Sequence, residues 1–356
     1  DVAAAQRWVT AVADTEDSND MSGAIDIVCN VYDPTSVRLK QTGIDDDFKR
    51  QIRMDRKLWG GVPISQYLKM MDRAGIERSL LVAVRAGDIN VRGSFALPYE
   101  RVYKICKKYP ERFSGLAGVD PFRGMSGLRE LQHAVEAYGF VGAHLYPHWF
   151  GLPPNHAKYY PYYTKCAELA VPIMMQVGHN LIYSAARRLP TVADPILLDQ
   201  VAIDFPELTL IGIHIGVPWT DNMISMCWKH SNVYTAGDAY APRHWPKQYV
   251  HYANTYGREK VMFGTDWPVI HPERAIQEVD ALGMDPVAKQ MLLRDNALRV
   301  FKLPGYRKLK RDAGMAATRV SSGPSVPDVH PASAHLAAAN SGLHNPFVAP
   351  LDFTAV

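Results

Sequence analysis

Four ionisable side chains end short apolar runs in this sequence: His144 in GAHLY, His179 in MMQVGH, His214 in LIGIHIG and Asp266 in VMFGTD. Imidazoles and carboxylates move protons near neutral pH, stabilise a developing oxyanion or bind a divalent metal. A single histidine ending a strand is more often a hydrogen-bonded structural residue than a reactive one. Three of them with an aspartate, at equivalent positions, are costly to bury unless they share partners or a substrate. They are therefore expected to meet in one pocket and form the catalytic set.

Aromatic residues surround these positions along the chain. Tyr146 and Trp149 follow the run that holds His144, Tyr240 follows a later run, and Trp267 is next to Asp266. Such side chains make a flat apolar wall for a ring or conjugated chain. Arg85 and Arg243 fall at positions where a guanidinium could grip a carboxylate by paired hydrogen bonds, or equally serve as a surface ion-pair partner. Asn30, at the end of the first run, offers a neutral amide. Together these residues point to a small carboxylic acid as the ligand.

The elements that must position them can be read from hydrophobic periodicity. Strand-like runs occupy 24–31, 79–84, 113–119, 141–146, 172–177, 208–213, 232–235 and 260–264, separated by amphipathic stretches such as 65–74, 99–109, 127–138, 159–169 and 245–256. Eight strands, each followed by a helix, predict an α/β fold of the (β/α)8 TIM-barrel type. The first run leads into Asn30, Val31 and Tyr32 without a GxGxxG loop, which disfavours a doubly wound nucleotide-binding sheet. In a barrel, strand ends face the active-site mouth. Those ends are Asn30, Arg85, Asp120, His144, His179, His214, Asp238 and Asp266. The stretch 33–63, between the first strand and first helix, is expected to lie over that mouth as a lid.

Composition bounds the function classes. Of 356 residues, 47% are hydrophobic and 21% charged, an ordinary globular balance. The 39 Lys and Arg against 36 Asp and Glu leave a dispersed net charge of +3, with no electrostatic case for nucleic-acid binding. No apolar run approaches the roughly 20 residues of a membrane helix. Four scattered cysteines without a CxxC pair suggest free thiols and a cytoplasmic setting. The expected organisation is an N-terminal extension (1–21), a barrel (22–309) and an extended C-terminal arm (310–356) rich in Ala, Pro, Ser and Gly. The arm is expected to pack on its own barrel or on a neighbouring subunit of a homo-oligomer, most simply a homodimer.

The succession of His179 in QVGHN, His214 in IGIHIG and Asp266 in FGTDWP resembles the amidohydrolase-related superfamily. Within it, the chain resembles the branch containing aminocarboxymuconate-semialdehyde decarboxylase and related aromatic-acid decarboxylases, from residue 24 to about 303. The resemblance implies metal ligation by His179 and Asp266, and an acid–base or polarising role for His214. One departure stands out. The family's first strand ends in His-x-His, where this chain has Val28, Cys29 and Asn30. Strand alternation puts Cys29 on the face opposite Val28 and Asn30. That leaves His179 and Asp266, with His144 or else His214 as the third, as candidate ligands for zinc or manganese, since a catalytic site of this kind usually needs three. Two mechanisms follow. In one, a metal acts as Lewis acid while Asp266 and His214 handle the proton. In the other, Asp266 is acid or base in its own right and the imidazoles supply donors. The implied function is a hydrolase or non-oxidative decarboxylase acting on an aromatic or unsaturated carboxylic acid. The alternatives are a ligand-binding barrel without catalysis and a metal-independent hydrolase or hydratase.

Overall fold

The computed structural model describes residues 23–305, apart from 89, 92 and 181–187. The expected N-terminal extension (1–21) and C-terminal arm (310–356) lie outside the described residues. Eight strands form one parallel sheet in sequence order: β1 (Ala24–Asn30), β2 (Ile76–Ala83), β3 (Phe113–Gly118), β4 (Gly142–Leu145), β5 (Ile173–Gln176), β6 (Leu210–Ile213), β7 (Val233–Gly237) and β8 (Val261–Phe263). The sheet curls so that β1 meets the segment after β8. There Cys29 bridges Trp267, and the Asn30 N–H donates to the Trp267 carbonyl at 3.0 Å. The architecture is the TIM barrel expected from the periodicity. Its strands are buried nearly throughout because helices cover the outside and side chains fill the inside.

Eight helices follow the strands: α1 (Ile64–Ala74), α2 (Tyr99–Lys108), α3 (Gly124–Glu136), α4 (Tyr160–Glu168), α5 (Leu198–Asp204), α6 (Thr220–Lys229), α7 (Lys247–Asn254) and α8 (Pro272–Asp280). In α1, Tyr67, Met70, Met71 and Ala74 recur at helical spacing and make the buried stripe. Gly75 closes that helix in the left-handed conformation, φ 68°, and leads directly into β2. Cys29 points outward to the Tyr67 hydroxyl, 3.3 Å away, as alternation requires, and all four cysteines are free.

The 33–63 stretch forms three short helices, Pro34–Arg38, Asp46–Gln51 and Arg56–Leu58. Its ends are tied down. Arg101 on α2 pairs with Asp33 at 2.6 Å, and the Val62 N–H donates to the Tyr32 carbonyl at 2.8 Å.

Below the mouth, the barrel is sewn shut by Asp26. This fully buried β1 carboxylate accepts from the Val28 N–H at 3.2 Å, the Thr265 N–H at 2.9 Å and the Thr265 hydroxyl at 2.5 Å. Burial pushes its pKa up to about 7 against those hydrogen bonds. Asp26→Ala strands these donors and should destabilise the fold by about 2–3 kcal/mol, read from urea unfolding midpoints. Because the folded pKa is raised, native Asp26 contributes stability below pH 4 that is lost as the pH rises through about 7. The difference between native and variant protein should therefore be smaller at pH 8 than at pH 5.

Candidate active site

At the C-terminal ends of the strands lies a cavity that opens to solvent. Its polar side is made by Asn30 (β1), Gln176 (β5), His179 and Asn180 (after β5), His214 (after β6), Tyr240 (after β7) and Asp266 (after β8). Its apolar side combines Ile44, Phe48 and Ile52 from the 33–63 stretch with Phe95, Tyr146 and Val269. The expected lid is thus a wall of the site. Behind Phe95, Trp149 packs edge-on at 4.9 Å between ring centroids.

His214 and Asp266 form the charged centre. His214 Nε2 lies 3.2 Å from Asp238 Oδ2 and 3.8 Å from Asp266 Oδ2, while Nδ1 lies 3.1 Å from Gln176 Nε2. Asp238, fully buried after β7, also accepts the His214 backbone N–H at 2.7 Å. Burial opposes protonation of the imidazole, but the two carboxylates more than offset it, and the His214 pKa is raised. Burial also raises Asp266, to about 7, with the Asp238 and Asp26 charges adding to the rise and His214 and the Asn30 amide opposing it. A carboxyl group poised near neutrality beside an imidazole suits proton transfer.

The backbone here is unusual. His214, Ile215, Ala239 and Asp266 all have positive φ, between 49° and 71°. Non-glycine residues rarely adopt this region, and such conformations persist where the surroundings enforce them, often at functional sites. His179 is placed by a close approach of two loops. Its N–H donates to the Val217 carbonyl at 2.8 Å, and Gly178, φ 87°, passes so near that a Cβ would lie 2.3 Å from that oxygen. The ring then reaches across the cavity, with Nε2 3.0 Å from the Tyr240 hydroxyl.

Not every expected residue is there. His179, His214 and Asp266 share the cavity, with Asn30, Tyr146 and Tyr240. His144 does not line it. The strand runs one residue further, to Leu145, so Tyr146, the residue that follows it, takes the mouth position and His144 lies beneath, the two rings 4.3 Å apart. Burial, with the nearby His214, lowers the His144 pKa to about 3, which leaves a neutral ring. Arg85 turns outward to Glu130 of α3 at 3.3 Å and lies over the Tyr99 ring. Arg243 is exposed and sits 3.5 Å from Glu278 on α8. For both arginines the ion-pair alternative holds. Trp149 is a second layer behind Phe95, and Trp267 is buried against Tyr67, with ring centroids 5.1 Å apart. Among the described residues no lysine or arginine lines the cavity. Asp238 appeared only as a strand-end residue, since nothing local reveals its pairing with His214. Gln176, the last residue of β5, falls inside the apolar run 172–177 and, like Phe95, carries no sequence signal of its place in the cavity.

A barrel with its polar cluster at the strand ends defines the class of the protein as a TIM-barrel enzyme. The chain belongs to the amidohydrolase family, whose model matches residues 56–303. It is 23% identical over 301 residues to gamma-resorcylate decarboxylase of Rhizobium sp. (strain MTP-10005), an alignment covering 67% of this chain and 86% of that one. Among solved structures it matches an uncharacterised TIM-barrel protein from Bordetella bronchiseptica with TM-score 0.65 and 22% identity, over 78% of this chain and 98% of that one. It also matches a dihydroxybenzoic acid decarboxylase from Polaromonas sp. JS666, bound to manganese and the inhibitor 2-nitroresorcinol. There the TM-score is 0.58 and the identity 17%, over 80% of this chain and 98% of that one. Among the described residues no helix is long and apolar enough to cross a membrane.

The donor set here does not fit a resident divalent metal. Among the described residues no three His, Cys, Asp or Glu side chains converge as ligands. Val28 has no donor atom. Asn30 turns its amide nitrogen, not its oxygen, toward Asp266 Oδ1, 3.0 Å away.

Proposed function

We propose that this enzyme is a non-oxidative decarboxylase of an aromatic carboxylic acid, with Asp266 as the general acid. The observation that carries this reading is a carboxyl group with a pKa near 7, next to a histidine of raised pKa, in a cavity with one polar and one largely apolar side. The kinship with gamma-resorcylate decarboxylase supports the choice of substrate class.

The substrate ring stacks against Phe95, Phe48 and Tyr146, which exclude water. Its carboxylate is met by His179 and by the amides of Gln176 and Asn180. Protonated Asp266 delivers its proton to the ring carbon bearing the carboxylate, using a ring π pair. The bond to the carboxylate then breaks, its electron pair restores the aromatic system, and carbon dioxide departs. His214, 3.8 Å away, returns a proton to Asp266.

Incubation with 2,6-dihydroxybenzoate and a panel of other aromatic carboxylic acids, with release of carbon dioxide followed directly, tests the reaction. Hydrolysis of the corresponding esters or lactones without any release of carbon dioxide would place the enzyme among hydrolases instead. The active form has Asp266 protonated, so kcat/KM should be highest below pH 7 and fall about tenfold per pH unit well above it. A rate that rises with pH across this range would make Asp266 a base. A homodimer and a cytoplasmic setting complete the reading, and light scattering on the full chain checks the first.

A further inference from the structure

We propose that Asn30 is a positioning residue that holds Asp266 by hydrogen bonding in place of first-strand metal ligands, so that this centre takes no divalent cation. The Asn30 carboxamide nitrogen lies between two oxygens, the Trp267 carbonyl at 2.8 Å and Asp266 Oδ1 at 3.0 Å. A carbonyl can only accept, so the Trp267 contact fixes which end of the amide faces inward. Turning the amide to offer its oxygen to a cation would set two acceptor oxygens against each other. Two residues earlier, Val28 presents only carbon. It packs so closely on the residue after β8 that a Cβ at Gly264 would come within 3.3 Å of Val28 Cβ.

The grip extends to both neighbours of Asp266. Thr265 is held by Asp26 through its N–H and hydroxyl, at 2.9 and 2.5 Å. The Trp267 N–H donates to the Thr265 hydroxyl at 3.0 Å, and the Trp267 carbonyl takes both the Asn30 N–H and the Asn30 amide. Three consecutive residues are thus bound, directly or through one another, to β1. This over-determines the left-handed backbone at Asp266, φ 49°, and aims its carboxyl group into the cavity. Metal ligation would ordinarily supply such an anchor, and here hydrogen bonds from a single strand do so.

The metal arm of the test needs no substrate. The full chain, stripped with EDTA, is dialysed to equilibrium against Mn²⁺ and, separately, Zn²⁺, alongside Asn30→Ala and the double variant Val28→His/Asn30→His. Native protein and Asn30→Ala are expected to retain no stoichiometric metal, whereas the double variant, if folded, retains about one equivalent. Stoichiometric retention by native protein overturns the proposal, and so does a folded double variant that retains none. If the double variant does not fold, the native measurement decides the metal question. The positioning arm rests on the proposed decarboxylation. Asn30→Ala should lower kcat by on the order of 10- to 100-fold with KM nearly unchanged. An unchanged kcat, or a loss confined to KM, overturns the positioning role. If native protein acts on no carboxylic acid, the functional reading fails while the dialysis result stands.

Discussion

Asp266→Asn is expected to reduce turnover by on the order of 10³-fold or more while leaving the barrel folded. The substitution keeps the shape of the side chain and the oxygen that accepts from Asn30 Nδ2. Asparagine also tolerates the left-handed backbone at this position, φ 49°. What disappears is the titratable proton. Above pH 7 the native carboxylate is a buried charge whose ionisation burial disfavours, so the variant should melt no lower than native protein at pH 8. Steady-state turnover and thermal unfolding followed by circular dichroism check both halves. Turnover within a few-fold of native would remove Asp266 from the chemistry, and an unfolded variant would show that the carboxylate holds the barrel together.

His214→Asn carries the second large effect, and here fold and activity can be separated. Turnover should fall by on the order of 10²-fold or more, because the group that restores the proton to Asp266 is gone. Two opposing terms set the stability. His214 has φ 71°, a conformation that asparagine adopts more readily, which gains about 1 kcal/mol. Against this, Asp238 loses the imidazole 3.2 Å away while fully buried, and breaking such a pair costs about 3–5 kcal/mol. The second term wins, so the single variant should melt well below native protein. Adding Asp238→Asn removes the stranded charge. His214→Asn/Asp238→Asn should recover most of the melting temperature and none of the turnover. If turnover returned with stability, His214 would be only a structural partner of Asp238.

The strand ends were legible because a barrel repeats one local rule eight times. An apolar run must stop where it meets solvent, so Asn30, His179, His214 and Asp266 announce themselves as polar residues ending such runs. The rule breaks where an apolar run extends past a polar residue. At β4 the mouth position passes to Tyr146, and His144 is left in the interior, because hydrogen-bond register rather than polarity sets how far a strand runs. Arg85 and Arg243 look equivalent to mouth residues in sequence. Their direction is decided by Glu130 and Glu278, which lie 45 and 35 residues further along the chain. The lid wall was expected as a segment, whereas Phe95 gave no sign of the contact that brings it to the cavity.

The sequence by itself determined the alternation of strands and helices, the barrel that follows from it, and the absence of a metal-binding pair at residues 28 and 30. Those are properties of local pattern and residue chemistry. Only the tertiary structure decided that Asp238 faces His214, that Asn30 aims its nitrogen at Asp266, and that His144 stays below the site. Each depends on groups brought together by closing the barrel, and closure couples residues as far apart as Asp26 and Thr265 through hydrogen bonds that no local pattern encodes.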